Sequence, residues 1–304
     1  MRVIVRYTLV LVACAGSVSA RAEDRPGLIE LWTRTTGQYG GASEKSRGRP
    51  VILDLDKVAM KEGELVDLQY RGARTFRYVS IAELIRRYAP PAVTDTALLH
   101  FSNGMAIPLP FRNQDALQRL NPMVVRAVQI DDKWTSELPP ISRTDSFYFD
   151  VRPIRFQGNK VVVASAWHPA LRAGSEQAFS PWRHADSLTG IEFVSDHAFM
   201  AQFDVDATVR DGATTYGQVC RFCHGARRAG AQFGWDFVEP IPISEYRKKD
   251  VNLYYHVKYR SADSVSRGLL MPALSFLTEK DATDLLAWSR ALAAKPLHTY
   301  TVNP

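Results

Sequence analysis

Cysteine is nearly missing from this chain. Three occur in 304 residues: Cys14, Cys220 and Cys223. None lies between Glu23 and Val219, so that stretch has no disulfides and no thiol to bind molybdenum, hold an iron–sulfur cluster or act as a nucleophile. Long apolar runs are missing too. The run near the start, Tyr7 to Ala15, is too short to span a bilayer, and no membrane span is expected in the mature chain. Internal repeats and low-complexity tracts do not occur. The net charge of +6 favours an acidic partner surface but is too small to argue for nucleic acid. With 46% hydrophobic and 23% charged residues, the composition is that of a globular chain rather than a disordered one. Its length accommodates two domains.

Arg2 and Arg6 precede the short apolar run, and small residues follow it. Val18-Ser19-Ala20 and Ala20-Arg21-Ala22 are both candidate cleavage sites. Residues 1–22 therefore read as an export signal, with a periplasmic mature chain. Leu11-Val12-Ala13-Cys14 also matches a bacterial lipobox, on which reading Cys14 is lipidated and anchors the chain. If Cys14 leaves with the signal, only Cys220 and Cys223 remain.

From residue 23 to about 206 the pattern predicts a β-rich α+β domain of unknown specificity. Val51–Leu55, Leu65–Tyr70, Phe76–Val79 and Ile191–Val194 read as strands, and Ala198–Phe203 as another. Ser80-Ile81-Ala82-Glu83 is a capping-box pattern that opens a helix closed by Pro90-Pro91. Leu98–Phe101 and Met105–Leu109 flank Ser102-Asn103-Gly104 as a hairpin, and Ile154–Phe156 with Val161–Val163 as a second. Asn113–Leu120 reads as a short helix. After Asp206–Gly212 the period becomes helical, which sets off residues 207–304 as a second domain. Thr278-Glu279-Lys280-Asp281 caps a last helix whose apolar face is Ala282, Leu285, Leu286, Trp288 and Leu292.

One stretch names a chemistry: Cys220-Arg221-Phe222-Cys223-His224. Two thiols three apart, with a histidine directly after, are the arrangement for attaching a haem covalently. The thiols take the vinyl groups, and the spacer brings His224 under the ring to bind iron. Met271 is the only methionine after the motif and is followed by proline. It is the candidate sixth ligand, a soft thioether; His256 and His298 are the alternatives, with a five-coordinate iron as a further one. A redox CxxC pair or half a zinc site are the competing uses of the cysteines. Residues 221–268 hold nine Lys and Arg against five Asp and Glu, read either as a ring steering an acidic redox partner or as ordinary solvated surface. Trp167-His168, Trp182-Arg183-His184 and His197 read either as a ligand pocket or as a loop anchored by tryptophans; no metal spacing is met.

Tyr216 and Gly217 before the cysteines, Gly225 after His224, Met271-Pro272-Ala273 and the capped last helix together resemble class I c-type cytochromes. The resemblance covers roughly the last third of the chain. It implies an all-α monohaem domain over residues 207–304, with one haem c per chain held by Cys220 and Cys223 and ligated by His224 and Met271. Tyr78–Ile85, Phe101–Gly104 and Ile107–Leu109 carry a fainter likeness to the sulfite-oxidase-type molybdopterin fold, without its metal-binding cysteine. The expected function is single-electron transfer to or from a periplasmic oxidoreductase or respiratory complex, with the N-terminal domain as docking module. Two alternatives stand beside it: a haem enzyme with a substrate pocket in the N-terminal domain, and a binding or assembly protein with a redox-sensing haem.

Overall fold

The computed structural model describes residues 27–34, 36–37, 49–67, 72–90, 94–138, 154–155, 159–176, 179–246, 250–259, 271–295 and 300–301. The expected export signal, Cys14 and His298 lie outside them.

In chain order the elements begin with β1 (Leu28–Thr33), β2 (Thr36–Gly37), β3 (Val51–Asp54), β4 (Lys61–Asp67), β5 (Gly72–Ser80) and α1 (Ile81–Tyr88). Then come β6 (Thr96–Phe101), β7 (Ala106–Pro110), α2 (Gln114–Leu120), β8 (Met123–Ile130), β9 (Lys133–Thr135), β10 (Glu137–Leu138), β11 (Ile154–Arg155) and β12 (Lys160–Val162). The chain continues through β13 (Leu188–Val194), α3 (Asp196–Ala201), α4 (Arg210–Thr215), β14 (Gly225–Ala226) and β15 (Ala229–Gly230). Last are α5 (Ile243–Tyr246), α6 (Asp250–Tyr259), α7 (Glu279–Ala294) and β16 (Tyr300–Thr301).

Two larger sheets form. One runs β3-β1-β13-β6-β7, and the other β12-β8-β5-β4 with β9 on β8. In the first sheet only β1 and β13 pair in parallel. β6 and β13 sit inside it and are buried at nearly every position, as strands covered on both faces should be. The expected hairpin at residues 98–109 forms as β6 and β7. Ser80 caps α1, accepting from the Glu83 N–H, and Ile81, Leu84 and Ile85 turn inward. Thr278 and Asp281 form a full capping box on α7, whose expected apolar face is buried throughout.

Three expectations are corrected. Residues 207–304 are not an all-α domain, and the class I cytochrome resemblance does not hold at the level of fold. Among the described residues there, only α7 is longer than ten residues. The rest is short helices, the β14–β15 hairpin and β16, which pairs back to β2. The whole chain is mixed α/β. Gly230, Gly234, Pro240 and Pro242 break up the middle of this segment, and helical periodicity at its two ends had been extended across it. Second, residues 154–163 are not a hairpin: β11 pairs with β10, and β12 with β8. Third, Ala198–Phe203 is no strand. Ser195 accepts from the Ala198 N–H and opens α3.

The buried core is continuous from Ile29 to Leu292 and takes residues from both sides of position 206. At its centre α4 crosses α7. A Cβ on Gly212 would lie 2.2 Å from the Asp284 carbonyl oxygen, so only glycine lets these backbones approach so closely. Gly217, one turn and a half further on, meets only the end of the flexible Met200 side chain.

Candidate functional site

The motif begins where α4 widens into a π-turn, Tyr216–Cys220. The Arg221 N–H closes that turn on the Tyr216 carbonyl at 3.0 Å. The N–H groups of Cys223 and His224 both donate to the Cys220 carbonyl, at 3.1 and 2.9 Å. All five motif residues thus wrap one helix end, and such π-turns recur at functional sites.

The two spacer residues fasten this turn to the earlier part of the chain. Phe222 is 0% exposed. Its ring meets His168 edge-on at 5.1 Å and Phe179 at 6.2 Å, while its carbonyl accepts from the Ala106 N–H at 3.1 Å. Burial of such a side chain contributes about 1.5–3 kcal/mol. Arg221 pairs with Asp196 at 2.8 Å. Arg172, on the same loop as His168, grips the Asp281 carboxylate at 2.6 and 3.0 Å and reaches Thr215 Oγ1 at 3.4 Å. Burial opposes ionisation of Asp281, but the Arg172 and Thr278 hydrogen bonds outweigh it and hold its pKa at about 2.

His224 turns the other way and is half-exposed. Its Nδ1 lies 2.7 Å from the Trp235 carbonyl, which can only accept. Nδ1 therefore carries the proton, and the lone pair of the neutral ring is on Nε2. The ring lies flat on Gly234, where a Cβ would come 2.3–2.8 Å from its atoms. Phe237 meets it edge-on at 5.4 Å, and the buried Tyr216 hydroxyl donates to the His224 carbonyl at 3.0 Å.

Cys220 and Cys223 are free thiols. Burial pushes both up to about 12; for Cys220 the neighbouring Cys223 adds to this and Arg172 opposes it. Protonated thiols of this kind are unlike a redox CxxC pair, whose attacking thiol is made more acidic. Met271 is half-buried against the same core, at the head of the run into α7, where the Leu274 N–H donates to Val257 O at 2.8 Å. By their chemistry, two thiols, an imidazole with Nδ1 fixed and a thioether are the kinds of donor that a covalently attached haem takes. The sulfur groups are soft donors, and the neutral imidazole is one that suits iron.

The other histidines do different work. His168 is fully buried, its Nε2 on Pro108 O at 2.8 Å and its Nδ1 accepting from the Ala170 N–H at 3.1 Å. Burial drives its pKa down to about 3, and that of His184 to about 4. The loop is the tryptophan-anchored one: Trp182 is buried beside His168. His197 is exposed on α3, and His256 is half-buried on α6. Among the described residues no cluster of three or more His, Cys, Asp or Glu is placed to hold a metal ion. None of the helices among them is long and apolar enough to cross a membrane. The basic cluster is partly absorbed by the fold. Arg221 is paired, Arg227 reaches the Leu292 and Lys295 carbonyls, and Arg228 meets Glu239 at 2.6 Å. Arg247, Lys248, Lys249, Arg260 and Arg267 lie outside the described residues.

Sequence reasoning passed over Gly234, Trp235 and Asp236, for which a Gly-Trp-Asp run shortly after the motif was the only signal. It also passed over Glu192, a buried carboxylate on β13. Its oxygens accept from Arg34 and, at 2.9 Å, from His100, on which Trp32 stacks. Burial alone would raise this acid, but the hydrogen bond and charge of His100, together with Arg34, hold it at about 2.

No protein-family model matches the chain, and no curated protein matches it. The two resemblances read from the sequence gain nothing from these comparisons.

Proposed function

We propose that the chain is an electron carrier holding one covalently attached haem c. Cys220 and Cys223 anchor the group, and His224 ligates its iron through Nε2. The observation that carries this reading is the fixed tautomer of His224 inside the cysteine turn, since the Trp235 carbonyl keeps the lone pair on the nitrogen that must bind metal. When bound, the haem supplies a one-electron couple between ferric and ferrous iron. Met271 would supply the thioether as the second protein ligand to the iron. Export through residues 1–22 fits this chemistry, and the partner is another redox protein. The segment before residue 207 holds the motif rigid through Phe222, Arg221 and Arg172, so little has to move when an electron arrives.

Absorption spectroscopy of the haem-loaded chain tests this. The expected result is a low-spin ferric spectrum with the charge-transfer band of methionine–iron ligation, lost in Met271→Ala. A Met271→Ala spectrum identical to wild type would refute the sixth-ligand assignment. A high-spin wild type that binds added small ligands would replace the carrier with a haem enzyme.

A further inference from the structure

We propose that Asp236 is the positioning residue that sets the orientation of His224. β14 and β15 form a hairpin whose two-residue turn is Arg227-Arg228, both in the left-handed region at φ 53° and 62°. That is a type I′ turn, a geometry that Asn-Gly adopts readily and two arginines do not. The Asp236 carboxylate makes up the difference. Oδ2 accepts from the Arg228 N–H at 2.6 Å, and Oδ1 from the N–H groups of Arg227, Val238 and Glu239 at 3.0, 2.7 and 2.9 Å. One carboxylate thereby ties the turn to the bend that follows it. The arginine side chains point elsewhere, Arg227 to the end of α7 and Arg228 to Glu239.

The consequence falls on the residue before Asp236. The Trp235 carbonyl is the acceptor for His224 Nδ1. Two further backbone bonds, Gly234 N–H to Cys223 O at 2.7 Å and Phe237 N–H to Gly225 O at 2.9 Å, join the same two stretches. Two of the four hydrogen bonds that hold the stretch carrying Trp235 against the one carrying the motif thus end on Asp236, and its bonds to Val238 and Glu239 shape its own bend. It touches no ligand itself and acts through Trp235.

The role is tested first without haem. Nitrogen-detected NMR of wild type should show His224 as the Nδ1–H tautomer. Asp236→Asn places an NH₂ against one set of donors, and the ratio of Nδ1–H to Nε2–H should fall about fivefold, the weight of one ordinary hydrogen bond. Should Asp236→Asn fail to fold, Arg228→Gly relaxes the turn, and the comparison becomes Arg228→Gly against Arg228→Gly/Asp236→Asn, with the same fall expected. An unchanged ratio in the folded variant overturns the proposal. Only the second arm rests on the proposed function. In the haem-loaded chain Asp236→Asn should raise the reduction potential, because an imidazole without its Nδ1–H bond is a weaker donor to iron. An unshifted potential also counts against it. A wild type that takes up no haem refutes the proposed function instead, and the tautomer comparison then decides the role of Asp236 alone.

Discussion

His168 and His224 each hydrogen-bond a backbone carbonyl, yet they are opposite kinds of histidine. His168 uses Nε2 for the carbonyl, and its Nδ1 is taken by the Ala170 N–H. Both nitrogens serve the fold, and burial keeps the ring neutral. His224 uses Nδ1 for the carbonyl, which leaves the lone pair on Nε2, the nitrogen farther from its own backbone. The choice of ring nitrogen therefore separates a histidine spent on the fold from the one proposed as a ligand. The two are joined by one ring, Phe222, which stacks edge-on against His168 and sits two residues before His224.

Removing that shared neighbour should break the comparison most severely. Phe222→Ala leaves a cavity beside the buried His168 and Phe179 rings and should cost about 3–5 kcal/mol in chemical denaturation of the haem-free chain. A loss under 1 kcal/mol would mean that the motif is not anchored there. His168→Leu comes next. It strands the Pro108 carbonyl and the Ala170 N–H, at about 1–3 kcal/mol each. It should also change the pH dependence. Above pH 6.5 His168 is neutral folded and unfolded, and its contribution is fully present. Below 6.5 the unfolded chain takes a proton that the fold refuses until about pH 3. Stability should fall by about 1.4 kcal/mol per pH unit across that window, and His168→Leu should remove this slope. His184 adds a second proton between 6.5 and about 4, so part of the acid lability remains in the variant.

Gly234→Ala should be milder. The new methyl group collides with the His224 ring, but that ring is half-exposed and can swing away, at about 1 kcal/mol. The displacement should appear as a loss of the Nδ1–H tautomer. Smallest is His224→Gln in the haem-free chain, expected within about 0.5 kcal/mol of wild type. A cost as large as that of His168→Leu would erase the distinction between the two histidines.

The sequence carried the motif, the Ser80 N-cap of α1, the capping box on α7 and the β6–β7 hairpin, because each is written in residues a few positions apart. The spacer did not reveal where it goes. Arg221 and Phe222 look like arbitrary fillers until Asp196, His168 and Ala106 arrive from distant parts of the chain. Local period also misread 198–203, where the apolar residues Phe199 and Phe203 sit four apart and serve a helix and the turn after it as readily as a strand. The all-α expectation failed for a related reason. Tyr216 and Trp288 pack face to face at 4.7 Å where α4 leads into the π-turn beside α7, but residues 225–242 are held by the β14–β15 hairpin and by bends, and by Asp236 in particular. A carboxylate that accepts four backbone N–H groups has no sequence period at all.

The most direct test is the mass of the chain purified from a host that attaches haem to exported proteins, followed by the mass of its peptide spanning Cys220 to His224. One haem per chain, bonded to both cysteines and retained after denaturation, is the expected result. A bare polypeptide with two free thiols would contradict it.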